Sequence, residues 1–158
     1  MLLVPNVVSP DTPIGATDAD NVEIRRVGEP TSFDFAPKDH VALAETLKLL
    51  DISRGIKVAG TRGYFLRDAG LYLHRAVQQL ALDLLANRGF TVMDVPLLVR
   101  EETLLHTGFF PTGREQTYKL ENEQKWLVGT SEVPLVSYYS NEIIDVTEPI
   151  RLAAVSYQ

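Results

Sequence analysis

The chain has 158 residues, which as a prior means one domain, and a chain of that length can bury roughly 68–70% of its unfolded surface. Hydrophobic residues make up 45% and charged ones 23%, an ordinary globular composition that excludes low complexity and wholesale disorder. Fifteen Lys and Arg against twenty-one Asp and Glu give a net charge of −6, which argues against the chain as a whole gripping nucleic acid. Having no cysteine, it holds no disulfide framework, no thiolate zinc site and no cysteine nucleophile.

Met1-Leu2-Leu3-Val4 is apolar, but Pro5 and Asn6 end the run and no basic residue precedes it, so it does not read as a targeting signal. No apolar run approaches the roughly 18 residues of a membrane span, and the reading is a soluble, cytoplasmic chain. Residues 1–22 hold Pro5, Pro10, Pro13 and Gly15 and read as an extended linker or strap. Asn21–Val27 alternates as a short strand, closed by Gly28 and Pro30. Asp39 is placed to cap a helix carrying Val41, Leu43, Ala44, Leu47 and Leu50. Two short strand candidates follow, Ile56–Ala59 and Tyr64–Leu66, with Gly60-Thr61-Arg62-Gly63 as the turn between them. That turn lacks the spacing of a phosphate-binding loop.

The spacing predicts a long helix from about Ala69 to Arg88, capped by Asp68 and stopped by Gly89. Leu73, Ala76, Val77, Leu80 and Leu84 form one apolar stripe on it. Phe90–Val95 then reads as a strand interrupted by Pro96. A polar helix from near Arg100 leads to the loop Thr107-Gly108-Phe109-Phe110-Pro111-Thr112-Gly113. Thr117–Leu120 and Trp126–Val128 read as a hairpin. A helix from Thr130 or Ser131 should run past Tyr139, and Ile150–Val155 is a last strand. Strands and helices mixed without strict alternation predict an α+β fold with an antiparallel sheet.

Few residues here suggest chemistry. His40, His74 and His106 are isolated in sequence, so no metal site is assigned. Glu101 and Glu102 are neighbours that diverge by about 100° on a helix, and their simpler role is to meet a helix N-terminus. Thr130-Ser131-Glu132 follows an apolar strand and Gly129 and opens a helix. There a hydroxyl and a carboxylate can together receive an ammonium group, or they can serve as an ordinary helix start.

Taken in order, these pieces resemble the bacterial-type seryl-tRNA synthetases. Val4-Pro5-Asn6 and Ser9-Pro10-Asp11-Thr12-Pro13-Ile14-Gly15 resemble the segment leaving that family's coiled-coil arm. Asp20–Gly28, Phe33-Asp34-Phe35 and Pro37-Lys38-Asp39-His40 resemble the start of its catalytic domain. The long helix and the strand ending at Pro96, about residues 69–96, resemble class II motif 1, and Thr107–Pro111 the loop beyond it. Residues 127–134, Leu127-Val128-Gly129-Thr130-Ser131-Glu132-Val133-Pro134, resemble the serine-pocket segment. Residues 150–158 resemble the first strand of motif 2.

The resemblance implies a partial class II synthetase domain over residues 23–158, with an antiparallel sheet and flanking helices. It implies ATP- and Mg²⁺-dependent activation of L-serine to seryl-adenylate and transfer to tRNA(Ser), in a homodimer joined through motif 1. Thr130, Ser131 and Glu132 would bind L-serine. No catalytic, ATP-binding or metal residue is expected within the chain, because the Phe-Arg-x-Glu element of motif 2 and all of motif 3 would follow Gln158. The tRNA arm would likewise lie elsewhere. The expectation is roughly the first half of a catalytic domain, a truncated gene product or a partial sequence, inactive alone. Two other readings stay open: a non-catalytic pairing module built on the motif 1 helix, and an amino-acid:carrier-protein ligase. The absence of cysteine counts against the latter, whose relatives are expected to hold zinc through that residue.

Overall fold

The computed structural model describes residue 4 and residues 6–156. Met1, Leu2, Leu3 and Pro5 of the expected strap, and Tyr157 and Gln158 of the expected motif 2 strand, lie outside the described residues.

Residues 6–39 are largely extended and exposed, as the prolines dictate, apart from a turn at Ser9–Thr12 and a short 3-10 turn at Asp18–Asp20. Asp20 closes that turn by accepting the Ala16 and Thr17 N–H groups at 2.8 and 3.1 Å. These bonds hold its carboxyl below the ordinary aspartate value. The strand expected at Asn21–Val27 does not form, and Val22, Ile24 and Val27 stand exposed. Alternation marks which face a strand would bury, but a strand also needs a neighbour for its backbone groups, and none lies beside it among the described residues.

Helix α1 (His40–Thr46) starts as expected, with Asp39 accepting the Ala42 N–H at 2.8 Å. It ends sooner than Leu47 and Leu50 suggested. Lys48 adopts φ 58°, and the Leu49 and Lys48 N–H groups fold back onto the Ala44 and Glu45 carbonyls at 2.8 and 3.0 Å. This closure satisfies the last carbonyls and releases Leu50 into strand β1 (Leu50–Asp51). Residues 56–59 are helical, not a strand: they belong to α2 (Ile52–Ala59). Asp51 accepts the Arg54 N–H at 3.0 Å, and this cap outweighs the β-branched Ile56 and Val58. Gly60-Thr61-Arg62-Gly63 therefore turns from α2 into β2 (Phe65–Leu66), which pairs antiparallel with β1.

Helix α3 (Ala69–Ala86) covers most of the predicted span. Asp68 does not cap it: its φ is 47° and its side chain makes no cap bond. Gly89 does stop it, at φ 81°, with Phe90 and Gly89 N–H groups returning to the Leu85 and Ala86 carbonyls. The helix packs on strands β3 (Thr91–Met93) and β6 (Leu152–Ala154), with Gln78, Leu82 and Leu85 half-buried. Leu73, Val77, Leu80 and Leu84 are 61, 68, 57 and 47% exposed, because at about 100° per residue they occupy the opposite face.

Strands β3 and β6 pair in parallel, a departure from the antiparallel expectation that the β1–β2 ladder meets. After Pro96 a strand that the sequence did not suggest, β4 (Leu98–Arg100), runs antiparallel to β5 (Lys125–Leu127). The expected hairpin partner meets the other edge of β5 through the Lys119–Trp126 bridge. Between them come α4 (Glu101–His106) and the Thr107–Gly113 loop. Helix α5 (Glu132–Val136) is one turn long and does not run past Tyr139. Val99, Leu104, Phe110, Trp126 and Val133 form the buried core beneath it.

Candidate functional site

Strand β5 leads through Val128 and Gly129 to the corner where α5 begins, and Val128 extends the pairing by donating to the Leu97 carbonyl at 2.9 Å. The corner is anchored by Val133, which is fully buried. Burying that side chain leaves the preceding Thr130 and Ser131 half-buried and Glu132 exposed. Thr130 Oγ1 accepts the Glu132 N–H at 3.3 Å, so the threonine does part of a cap's work. Ser131 does not: its hydroxyl donates across to the Ala154 carbonyl at 3.4 Å and ties the corner to β6.

All three side chains line an open cavity of about 830 Å³. Its apolar walls come from Leu85 and Phe90 at the end of α3, Leu135 and Tyr139 beyond the corner, and Leu152 on β6. Among the described residues Glu132 is ion-paired with no cation. A carboxylate and a hydroxyl that keeps a second lone pair therefore converge on one apolar hollow. Such a set suits a small cationic group better than an anion.

The other candidates are dispersed. His40 opens α1, His106 closes α4, and His74 sits on α3 with Nε2 at 3.0 Å from Gln78 Nε2. Among the described residues no three His, Asp or Glu side chains gather as metal ligands. Glu101 and Glu102 diverge in the first turn of α4, Glu102 standing 3.6 Å from Arg100.

Glu101 has a charged partner that the sequence did not reveal. Arg114 Nη2 donates to its carboxylate at 2.5 Å, and this bond holds the Glu101 carboxyl below the ordinary glutamate value. The guanidinium also lies over the rings of Phe110 and Trp126, at 4.7 and 5.3 Å from their centroids. The two rings meet edge to face with centroids 4.8 Å apart. The Trp126 indole N–H is near enough to Glu101 to lower its pKa slightly but makes no hydrogen bond of good geometry. Thirteen residues separate the charged pair. Only the basic residue closing an aromatic loop could have hinted at it.

No family model matches the chain. It is 45% identical over 155 residues to a serine–tRNA ligase of Borreliella burgdorferi (strain ZS7), covering 98% of this chain and 36% of that protein. It is 43% identical over 157 residues to the serine–tRNA ligase of Deinococcus radiodurans, covering 99% of this chain and 37% of that one. The crystal structure of cytoplasmic serine-tRNA ligase from Naegleria fowleri in complex with AMP superimposes with a TM-score of 0.75 at 26% identity. That match covers 87% of this chain and 33% of the other. The chain thus spans 36–37% of the length of the curated relatives it matches.

Proposed function

We propose that the chain is part of a serine–tRNA ligase and supplies the serine-binding corner of an enzyme that activates L-serine with ATP and loads it onto tRNA(Ser), as its similarity to such ligases supports. The observation that carries this reading is the placement of Thr130, Ser131 and Glu132 on the wall of one cavity, with the Glu132 charge unpaired among the described residues. An amino-acid ammonium group brings three donors and a positive charge. Glu132 takes the charge, Thr130 Oγ1 accepts a second bond, and Ser131 holds the corner against β6. Fixing the ammonium end leaves the serine carboxylate oriented for attack on the α-phosphate of ATP, where the α–β anhydride bond breaks and pyrophosphate leaves, and this is a positioning contribution.

The remaining parts of the reading rest on the resemblance. Residues 1–22 act as the strap and residues 23–158 as part of the class II catalytic domain. In this reading β3 belongs to motif 1 and β6 to the start of motif 2, and the two pair in parallel. ATP is the second substrate in this reading, in keeping with the AMP-bound relative. Mg²⁺ accompanies the nucleotide in this reading. The exposed face of α3 joins two copies into a homodimer. Contacts to tRNA come from other regions, which fits a net charge of −6, and the address is the cytoplasm. The carrier-protein alternative loses ground, since the relatives reported above are serine–tRNA ligases.

The test is Glu132→Ala in the gene product as its cells make it. The expected result is a rise in KM for serine of at least tenfold, in line with loss of a charge-assisted hydrogen bond, while KM for ATP stays unchanged. An unchanged serine response would return Thr130-Ser131-Glu132 to a plain helix start.

A further inference from the structure

Helix α5 is too short to hold its own position. It has five residues, no side-chain cap from Ser131, and a single fully buried side chain, Val133. Val133 is seated in the cluster of Phe110, Trp126, Leu104 and Val99. Two of those four, Phe110 and Trp126, are the rings under the Arg114 guanidinium. Arg114 is in turn fixed by Glu101, the first residue of α4, at 2.5 Å. A continuous set of contacts therefore runs from a half-exposed ion pair, through a cation lying over two rings, to the residue that follows Glu132.

We propose that Arg114, locked by Glu101, is a positioning residue for the serine subsite: it clamps Phe110 and Trp126 against Val133 and so fixes where Glu132 stands. The inference rests on the assignment of Glu132 to the serine ammonium. It does not make Arg114 a catalytic residue, since Arg114 does not line the cavity that holds Thr130, Ser131 and Glu132. The planar guanidinium is essential to the device. It can stack on a ring and keep its fork in plane with a carboxylate, which an ammonium cannot do.

The geometry sets an order among variants. Arg114→Ala removes both the stack and the ion pair. Arg114→Lys keeps a charge for Glu101 and loses the flat stack. Glu101→Gln keeps the stack and weakens the lock. In the native gene product, with L-serine and ATP as the probes in pyrophosphate exchange, KM for serine should rise roughly tenfold in Arg114→Ala, less in Arg114→Lys and least in Glu101→Gln. KM for ATP should not move. A merely structural role predicts instead that both KM values rise together as the melting temperature falls, and that result would overturn the proposal. So would a wild-type KM for serine in Arg114→Ala. Where the alanine variant does not fold, the serine-only shift in Arg114→Lys and Glu101→Gln decides. Glu132→Ala run alongside separates the two claims. If it leaves serine unaffected, the subsite assignment itself fails; if it raises KM and the Arg114 variants do not, only the link fails.

Discussion

Glu132 and Val133 are adjacent, yet one is exposed and the other fully buried, and this division makes the corner usable. A buried anchor fixes the backbone so that the carboxylate next to it need not be ordered by contacts of its own. The same logic separates the three polar residues: Thr130 is partly engaged with backbone, Ser131 with β6, and Glu132 with neither through its side chain. The motif was readable in sequence as three residue types at a strand-to-helix junction. Which of them caps and which bridges was not, because the bridge depends on Ala154, twenty-three residues away.

The Glu101–Arg114 pair carries a pH prediction. The Arg114 hydrogen bond, opposed in part by burial, lowers the Glu101 carboxyl below 4.5. A group whose folded value is depressed binds protons less readily folded than unfolded. Its contribution is therefore complete above about 4.5 and is lost as pH falls through the lower folded value. Both side chains are partly solvated, which limits the size of the effect. Denaturation midpoints measured from pH 6 downward should fall more steeply in wild type than in Glu101→Gln. Parallel curves would mean that the pair is not formed in solution.

At the scale of elements, the helix starts and stops that rest on local chemistry were the most legible. Asp39 caps α1 as its position suggests, and Asp39→Ala should cost about 0.5–2 kcal/mol, measurable as a lower urea midpoint. Gly89 ends α3 as expected. The misreadings have a common physical origin, in that a competing local device or a distant partner decided the outcome. Lys48 in a left-handed conformation stopped α1 early, and the Asp51 cap turned an apparent strand into α2. The strand expected at residues 21–27 lacks a partner among the described residues, whereas β4 exists because β5 lies beside it. One glycine has a role that pattern could not show. A Cβ at Gly55 would stand 2.3 Å from the Gly63 carbonyl oxygen, so α2 rests directly on the backbone of the turn before β2. Gly55→Ala should separate these elements and lower the melting temperature, whereas Gly129→Ala, with open space at that Cβ and no left-handed φ, should change it less. Equal shifts would contradict the close approach.

For the whole molecule, the helix that organises the chain is apolar on two sides. One side, through Leu82 and Leu85, lies on β3 and β6; the other, through Leu73, Val77, Leu80 and Leu84, faces outward. The sequence showed a stripe of the right period but not which neighbour it meets, since periodicity identifies a face and says nothing about its partner. In the proposed homodimer this outward face is covered by the second copy. Val77→Glu with Leu80→Glu should then convert the native dimer to monomer in sedimentation. A dimer that survives both charges would place the interface elsewhere.

The central claim, that this chain builds a serine subsite, is tested most directly by amino-acid-dependent exchange of pyrophosphate into ATP. The measurement uses the native gene product, with each common amino acid supplied in turn. The account predicts exchange with L-serine far above the rest, and its loss at low serine in Glu132→Ala. Exchange driven by a different amino acid, or serine-driven exchange indifferent to Glu132, would contradict it.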